Sequence, residues 1–217
     1  MSDLKKIITA DNSPTLYHPD LDEHYHSING ALQESMHVFI NAGLKEITKD
    51  KIDILEVGFG TGLNALLTFT ENLNVKKEIY YEAIEKFPLS TEMIKILQQS
   101  HIFNSVISRQ IHRTVWEKRV KISNHFTLKK IQTDLLDYQA TQTFDLIYFD
   151  AFAPEKQAEL WTEDIFKSLY RATNQNGILV TYSAKGIVKQ ALRNVGFFVK
   201  RLPGPKGKRH MVRAVKQ

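Results

Sequence analysis

Three glycines at alternate positions form the part of the chain best suited to close contact with a ligand. Residues 54–62 read Ile-Leu-Glu-Val-Gly-Phe-Gly-Thr-Gly, which predicts a strand that runs into a tight turn at Gly58, Gly60 and Gly62. Glycine permits positive φ and lets the backbone pass close to a ligand. A dinucleotide fingerprint would be Gly-x-Gly-x-x-Gly, but Leu63 stands where its last glycine belongs. The spacing favours S-adenosylmethionine (SAM) over NAD, although a glycine-rich turn without any ligand would show the same pattern.

Acidic residues end four of the predicted strands. They are Glu56, Glu85, Asp134 and Asp150. In a doubly wound sheet the ligand lies outside the carboxyl ends of the strands, and strand packing itself needs no acid there. Glu85, 25 residues after Gly60, suits the two hydroxyls of a ribose, whereas Asp134 and Leu135 suit the amino group and ring of adenine. The alternatives are a helix N-terminal acid for Glu85 and incidental surface acids at both positions.

Strands and helices alternate from residue 52 onward, which is typical of a mostly parallel α/β sheet covered on both faces. The predicted strands are 52–57, 79–84, 126–131, 144–149 and 178–182. The predicted helices are 63–73, one that Pro88 opens, 106–122, 162–172, and 187–195 with Gly196 at its end.

The two ends of the chain depart from this alternation. Residues 197–201 and 210–215 predict an antiparallel hairpin, and an open sheet that finishes in such a pair favours a SAM-dependent methyltransferase fold over an NAD-binding domain. Residues 1–50 predict an N-terminal extension packed on a main domain of residues 51–217. Within the extension we expect irregular chain or short strands over 17–28 and a helix over 34–44.

Composition limits the class of protein. The chain has 217 residues, of which 42% are hydrophobic and 24% charged, so it can build a proper core. It contains no cysteine, no apolar run long enough for a membrane span and no apolar stretch after its first residues. We therefore expect a cytoplasmic protein without a membrane partner.

The net charge of +5 is concentrated in two segments. Residues 105–130 contain seven Lys or Arg against the single acid Glu117, and residues 198–217 contain another seven and no acid. Such segments form either a solvated basic face or a surface that binds phosphates. Charge alone does not distinguish these alternatives.

Several motifs together resemble one family. Residues 150–156, Asp-Ala-Phe-Ala-Pro-Glu-Lys, followed by Leu160-Trp161-Thr162 and Phe166, are similar to its signature Asp-Gly-Phe-Ala-Pro-x-Lys…Met-Trp-Thr…Phe. This is the family of tRNA 5-methylaminomethyl-2-thiouridine methyltransferases, which occur as free-standing MnmD and as half of bifunctional MnmC. Segments 30–39, 58–64, 85–89, 183–188 and 206–211 match as well, so the resemblance extends over roughly residues 15–213. Ala151 replaces the usual glycine, and Lys185 stands where a small residue is common.

The resemblance implies a SAM-dependent methyltransferase with a Rossmann-like sheet that N-methylates 5-aminomethyl-(2-thio)uridine at the tRNA wobble position. Its cofactor would be SAM and its partner the anticodon stem-loop of tRNA. Bifunctional relatives carry an additional FAD-dependent domain, whereas this sequence has one nucleotide-binding turn. We therefore expect methyl transfer without FAD or metal, with another enzyme supplying the aminomethyl group.

The resemblance also assigns roles to residues. The predicted cofactor-binding residues are Glu34, Ser35, Glu56, Gly58, Phe59, Gly60, Thr61, Gly62, Asn64, Glu85, Lys86, Asp134, Leu135 and Asp150. The predicted substrate-binding residues are Phe152, Pro154, Tyr182, Lys206, Lys208 and Arg209. Asp150 is the predicted catalytic residue, which would orient the acceptor amine and take its proton. Tyr17 and Tyr25 are expected in the same pocket.

Some of these residues could instead have a purely structural role. Phe152 and Tyr182 would stack on an extruded base or serve as core aromatics. Glu34 and Ser35 would close over the methionine part of SAM or simply begin a helix. His18, His24 and His26 could suggest a metal site, but methyl transfer needs no metal and no thiolate supports them.

Three other functional classes are compatible with parts of the sequence. A SAM-dependent enzyme that acts on another small amine or a protein would have no use for the basic hairpin. An NAD-dependent oxidoreductase would need the missing glycine spacing. A non-catalytic RNA-binding module would keep the basic segments without needing Asp150.

Overall fold

The computed structural model describes residues 4–217, which form a small N-terminal sheet and a large central sheet. The antiparallel small sheet contains β1 (Lys5–Ile8), β2 (Pro14–His18) and β3 (Glu23–His24). The central sheet contains β4 (Lys51–Val57), β5 (Glu78–Glu85), β6 (Arg119–Ser123), β7 (Phe126–Gln132), β8 (Phe144–Phe149), β9 (Thr173–Thr181), β10 (Phe197–Pro203) and β11 (His210–Lys216).

The central sheet is parallel in its middle and antiparallel at both edges. Its strand order is β10-β11-β9-β8-β4-β5-β7-β6. Neighbouring strands from β9 to β7 are parallel, whereas β6 pairs antiparallel with β7, and β11 pairs antiparallel with both β9 and β10. This arrangement confirms the predicted α/β methyltransferase-type sheet with a C-terminal antiparallel hairpin.

Helices connect the strands and cover both faces. They are α1 (Ala31–Ser35), α2 (Leu63–Val75), α3 (Thr91–Leu97), α4 (Val106–Arg113), α5 (Glu163–Ala172) and α6 (Gly186–Asn194). The predicted stop of the last helix is confirmed, because Gly196 follows the Val195 C-cap with φ 109°. Glycine adopts this left-handed region without the steric cost that a Cβ imposes. No helix among residues 4–217 is both long and apolar enough to cross a bilayer.

The core lies on the two faces of the central sheet because side chains alternate along each strand. In β4, Ile52 and Ile54 pack into the core under α2 and the N-terminal segment. Leu55 and Val57 pack on the opposite face with the apolar side chains of α5 and α6. Both faces of the middle strands are therefore buried, which leaves the strand ends as the places where polar groups reach a cavity.

The helix predicted over residues 106–122 is wrong in its second half. Helix α4 ends at Arg113, because Thr114 has ψ 135° and leaves the helical region. Glu117 has φ 65°, and the chain then forms the edge strand β6. Buried Ile122 within this mostly exposed strand continues the alternation of a sheet edge. The proposed basic helix from Arg109 to Lys121 is therefore a short helix, a turn and a strand.

The helix predicted over residues 34–44 is divided. A π-helix (Met36–Asn41) follows α1, and a 3-10 helix (Leu44–Glu46) follows Gly43. The wider π-turn is marked by the Ala42 N–H, which donates to the His37 carbonyl over 3.2 Å. It buries the three consecutive apolar residues 38–40, which a regular helix would spread over separate faces.

Candidate functional site

A cavity of about 790 Å³ lies at the carboxyl ends of β4, β5, β7 and β8. The glycine turn after β4, Glu85 at the end of β5, and the acidic residues that follow β7 and β8 reach its wall. Residues 18–28 of the N-terminal segment contribute to its opposite side. This is the location at which doubly wound sheets bind their ligands.

The three glycines have the backbone conformation that the sequence predicts. Gly58, Gly60 and Gly62 have φ values of 88°, 50° and 74°. A Cβ at Gly58 would lie 2.5 Å from the backbone oxygen of Asp150, so only glycine lets the two strand ends approach this closely. Gly58 and Gly60 line the cavity, whereas Gly62 is the N-cap of α2.

Glu85 ties the turn to the end of β5. Its Oε2 accepts a hydrogen bond from Gly60 N–H at 2.9 Å, and its Oε1 accepts one from Phe87 N–H at 2.8 Å. Burial raises the pKa of this carboxyl above its ordinary value, although hydrogen bonds from these two N–H groups lower it. Glu85 lines the cavity, and each of its oxygens keeps a lone pair that can accept a further hydroxyl.

Asp134 and Leu135 lie side by side in the cavity wall after β7. Lys86 donates to Asp134 Oδ2 over 2.6 Å, and Leu136 N–H donates to Oδ1 over 3.0 Å. Partial burial alone would raise the pKa of Asp134, but these two donors and the Lys86 charge outweigh it and place the pKa below its ordinary value. Asp134 is thus an ionised acceptor beside the apolar surface of Leu135.

Asp150 lies at the cavity wall immediately after β8. Its Oδ2 accepts a hydrogen bond of 2.8 Å from the Asn64 amide in the first turn of α2. Burial, with a smaller contribution from the negative charge of Glu34, raises the pKa of Asp150 to about 7, while Asn64 and the charge of Lys208 lower it. A carboxyl with a pKa near neutrality can accept or hold a proton at physiological pH.

Glu56 lies behind this wall. It is 0% exposed and does not line the cavity. Neither of its carboxyl oxygens has a hydrogen-bond partner among residues 4–217, and burial raises its pKa well above the ordinary value. The protonated acid is therefore the form that the interior favours at neutral pH.

Aromatic side chains occupy the side of the cavity next to Asp150. Phe152 and Tyr25 line it, with their rings perpendicular and their centroids 5.1 Å apart. Tyr182 also lines it and donates its hydroxyl to the Ala151 carbonyl at 2.9 Å. Tyr17, by contrast, donates to Asp22 and lies outside the cavity.

The predicted basic residues of the hairpin loop, residues 204–209, separate into two groups. Lys206 and Arg209 are exposed and lie outside the cavity. Lys208 instead lines the cavity, where its ammonium forms an ion pair with the buried carboxylate of Glu34. The structure therefore places one of three similar cations in the interior of the site.

The remaining predicted residues support the wall rather than line it. This group contains Ser35, Phe59, Thr61, Gly62, Asn64 and Pro154. Eleven predicted residues do line the cavity, namely Glu34, Gly58, Gly60, Glu85, Lys86, Asp134, Leu135, Asp150, Phe152, Tyr182 and Lys208.

The sequence does not predict the supporting roles of two residues. His112 Nε2 donates to the Thr61 carbonyl at 2.9 Å and so fixes the glycine turn from behind. Lys130, which is 1% exposed, donates to the carbonyls of Ile111 and His112 and lies 4.7 Å from the Trp116 ring centroid. A lysine within a strand next to another lysine gives no sign of burial, because only the tertiary packing of α4 encloses it.

The sequence is similar to known methyltransferases. Residues 91–217, more than half of the chain, match the family model described as S-adenosyl-L-methionine-dependent methyltransferase. The chain is 31% identical over 215 residues to the tRNA 5-methylaminomethyl-2-thiouridine biosynthesis bifunctional protein MnmC of Burkholderia multivorans, covering 91% of this chain. It is also 31% identical over 212 residues to the protein of the same name from Campylobacter concisus. The chain spans about a third of the length of these relatives, 33% in each case.

Solved structures show the same architecture. The crystal structure of MNMC2 from Aquifex aeolicus aligns with a TM-score of 0.78 and 27% identity, covering 99% of this chain and 70% of that one. Spermidine synthase from Thermotoga maritima aligns with a TM-score of 0.58 at 12% identity, covering all of this chain and 71% of that one. The second similarity shows the fold alone.

Proposed function

Since the chain belongs to the family of S-adenosyl-L-methionine-dependent methyltransferases, we propose that it transfers the methyl group of SAM to the amine of 5-aminomethyl-(2-thio)uridine at the tRNA wobble position. The observation that carries this proposal is Asp150, a carboxyl whose pKa is raised to about 7, in the cavity wall against the glycine turn. The names of the MnmC relatives supply the substrate class.

The cavity fits SAM, which is the cofactor that the family uses. At about 790 Å³ it is of the size that holds a drug-sized ligand. Gly58 and Gly60 leave the turn open, since side chains there would meet Asp150 or Tyr25. When bound, SAM supplies an electrophilic methyl group on a positively charged sulfur.

Each wall would hold a different part of this cofactor. Glu85 would accept hydrogen bonds from the ribose hydroxyls, and Asp134 would accept one from the adenine amino group. Leu135 would cover the ring of the adenine. Glu34 would lie at the methionine end, on the side of the N-terminal segment, with the buried Ser35 outside the cavity next to it in the chain.

Asp150 would act on the acceptor. At neutral pH an aminomethyl group is mostly an ammonium, which has no lone pair for attack. The Asp150 carboxylate would accept a hydrogen bond from this group, orient it and take its proton, directly or through water. A carboxylate also stabilises an ammonium, so orientation comes before proton transfer in this role.

The acceptor base would enter beside the aromatic residues. Single-stranded loop bases are recognised by stacking on aromatic faces, and Phe152 and Tyr182 offer such faces in the cavity. The exposed Lys206 and Arg209 would contact phosphates of the anticodon stem-loop from the nearby hairpin loop. Pro154 is buried and does not line the cavity, so it would shape the neighbouring wall rather than contact the base.

Incubation with labelled SAM and tRNA that bears aminomethyl uridine tests the proposal. After digestion, the label is expected in 5-methylaminomethyl-(2-thio)uridine from wild type and not from the Asp150→Asn variant. Unmodified tRNA transcript serves as the control for the acceptor group. Label in protein or in a small amine instead of the nucleoside would contradict the proposed substrate while leaving the methyltransferase family unchanged.

A further inference from the structure

Lys208 occupies an unusual position for a loop lysine. It lies in the loop between β10 and β11, yet its ammonium reaches the carboxylate of Glu34 in α1, 174 residues earlier in the chain. The same nitrogen lies 3.9 Å from the centroid of the Tyr182 ring. All three side chains line the cavity. The loop thus delivers a cation into the binding site, while Lys206 and Arg209 remain on the surface.

The groups around this ammonium are fixed by the protein. Glu34 Oε1 faces Lys208, and its Oε2 accepts a hydrogen bond of 2.8 Å from Ser27 N–H. The Tyr182 hydroxyl is held by the Ala151 carbonyl, which leaves the ring face to the cation. Carboxylates and aromatic faces are the two protein groups that attract an ammonium most strongly. Together they form a subsite for a single positive charge.

Asp150 belongs to the same electrostatic environment. Glu34 raises the pKa of Asp150 and Lys208 lowers it, so the three charges interact with one another. Without a cation there, the negative charges of Glu34 and Asp150 would repel each other without compensation, which is unfavourable in a buried site. The subsite therefore favours a positive charge, and nothing in these contacts requires that charge to belong to lysine.

Lys208 is suited to be exchanged. Its side chain is 32% exposed, whereas that of Glu34 is 8% exposed. The backbone around it is anchored independently, because Pro203 O accepts from His37 Nε2 at 2.9 Å and Lys208 N–H donates to Pro205 O at 2.9 Å. A flexible lysine side chain can therefore turn into solvent while the loop stays in place.

We propose that Glu34 and Tyr182 form a subsite for the ammonium group of a ligand, and that Lys208 fills this subsite until the ligand displaces it. Two ligands carry such a group, namely the methionine end of SAM and the aminomethyl acceptor. The second case rests on the proposed function, whereas the first does not. In either case Lys208 competes with the ligand and weakens its binding. The sequence instead predicts that Lys208 contacts a phosphate and strengthens the binding of tRNA.

Three variants test this inference. Lys208→Met removes the competitor and is expected to strengthen binding of the ammonium ligand by about tenfold, whereas Glu34→Gln removes the anion and is expected to weaken it by about tenfold. Lys206→Met is the matched control, since it changes the same residue type in the same loop outside the cavity. It is expected to leave ammonium binding unchanged. Thermal melting verifies that each variant is folded.

Calorimetric titrations distinguish the two ligands. S-adenosylhomocysteine keeps the amino-acid ammonium of SAM, and 5′-methylthioadenosine lacks it. If the cofactor fills the subsite, Lys208→Met binds S-adenosylhomocysteine more tightly and Glu34→Gln binds it more weakly, and neither variant changes the affinity for 5′-methylthioadenosine. If the acceptor fills it, the same two changes appear for 5-aminomethyluridine in the presence of S-adenosylhomocysteine and vanish for 5-hydroxymethyluridine.

Different results would overturn the ammonium subsite and the methylation of tRNA. Weaker or unchanged binding of both ammonium ligands to Lys208→Met would overturn the subsite, even if the enzyme methylates tRNA. Parallel losses of tRNA affinity in Lys208→Met and Lys206→Met, without tighter ammonium binding, would overturn it in favour of a phosphate contact. Absence of methyl transfer to tRNA, together with opposite effects on S-adenosylhomocysteine, would refute the acceptor and retain the subsite.

Discussion

The side-chain amide of Asn64 donates a hydrogen bond of 2.8 Å to the carboxylate of Asp150, and so links the first turn of α2 to the end of β8. The amide oxygen of Asn64 is buried and has no hydrogen-bond partner among residues 4–217. Asn64 lies near Glu56, whose pKa burial raises well above its ordinary value although Tyr81 and Asn64 lower it. A protonated Glu56 can donate to this oxygen, which would hold the amide with its N–H groups toward Asp150.

Substitutions at Glu56 and Asn64 test this orientation. Asn64→Ala is expected to lower kcat/KM by about tenfold to a hundredfold, because it removes a hydrogen bond to a charged group worth about 1.5–3 kcal/mol. Glu56→Gln is expected to keep nearly full activity, since its amide donates as the protonated acid does. Glu56→Leu removes the donor and is expected to resemble Asn64→Ala. Steady-state kinetics measure all three, and equal losses in Glu56→Gln and Glu56→Leu would show that the ionised acid is the working form.

The pH dependence of the reaction is expected to follow Asp150. Because the pKa of its carboxyl is raised from 3.8 to about 7, the carboxylate fraction grows as the pH rises through 7. Rates measured at subsaturating SAM and acceptor should therefore rise by about tenfold per pH unit below 7 and level above it. Asn64→Ala should move this limb to higher pH, because the lost hydrogen bond favours the ionised form.

Asp150→Asn provides the control for that profile. Any rise in rate that remains in this variant reports the deprotonation of the acceptor amine.

Asp150→Asn should lower activity without lowering stability. Because the pKa of Asp150 is raised in the folded protein, the free energy of unfolding of wild type falls as the pH rises from about 4 to 7, and the variant lacks this fall. Urea unfolding at pH 8 should find the ligand-free variant at least as stable as wild type. A less stable variant would contradict the raised pKa of Asp150.

The sequence predicts most of the central sheet because its signals are local. The apolar runs of β4, β5 and β8 are each bounded by polar or glycine residues, and the acids after them fall where the ligand site of such a sheet must lie. Gly58, Gly60 and Gly62 all have positive φ, as their spacing predicts. Periodicity and turn chemistry therefore predict which strand ends line the cavity before any tertiary contact is known.

Tertiary packing decides what the sequence does not predict. The edge strand β6 exists because β7 offers it a hydrogen-bonding partner, and residues 106–122 read alone as one helix. Lys130 is enclosed by α4 and Trp116, although its sequence neighbours suggest a surface position. The contact of Lys208 with Glu34 depends on the placement of a loop against a helix far away in the chain. No local pattern encodes such long-range contacts.

Gly58→Ala is expected to disrupt the site. Its Cβ would lie 2.5 Å from the Asp150 backbone oxygen, at a φ of 88° that L-residues rarely adopt. We expect a loss of about 1–3 kcal/mol in the free energy of unfolding and a displaced Asp150, with SAM binding and turnover strongly reduced. Gly186→Ala is the control, because no atom lies within 4 Å of its added Cβ at the start of α6. Equal behaviour of the two variants in calorimetry and melting would contradict the close approach.

Lys130 should give the protein a specific dependence of stability on pH. Burial lowers the pKa of its ammonium to about 8 from 10.5, so the unfolded chain binds more protons between these values. Its contribution to the free energy of unfolding therefore rises as the pH increases from about 8 toward 10.5. Lys130→Met should lack this rise, whereas Lys121→Met, at an exposed position, should keep it. Chemical denaturation between pH 7.5 and 9.5 measures the difference, and parallel curves for wild type and Lys130→Met would refute it.

Binding of tRNA should weaken steeply with salt if Lys206 and Arg209 contact phosphates. Each neutralised phosphate contributes about 0.7–0.9 to the slope of log affinity against log salt concentration. Lys206→Met and Arg209→Met should each lower this slope by about one and weaken binding without changing the affinity for S-adenosylhomocysteine. Lys51→Met is the control, because Lys51 is exposed at the start of β4, at the opposite end of the strand from the cavity. Filter binding from low to moderate salt provides the slopes, and a slope that neither loop variant changes would remove both residues from the RNA-binding surface.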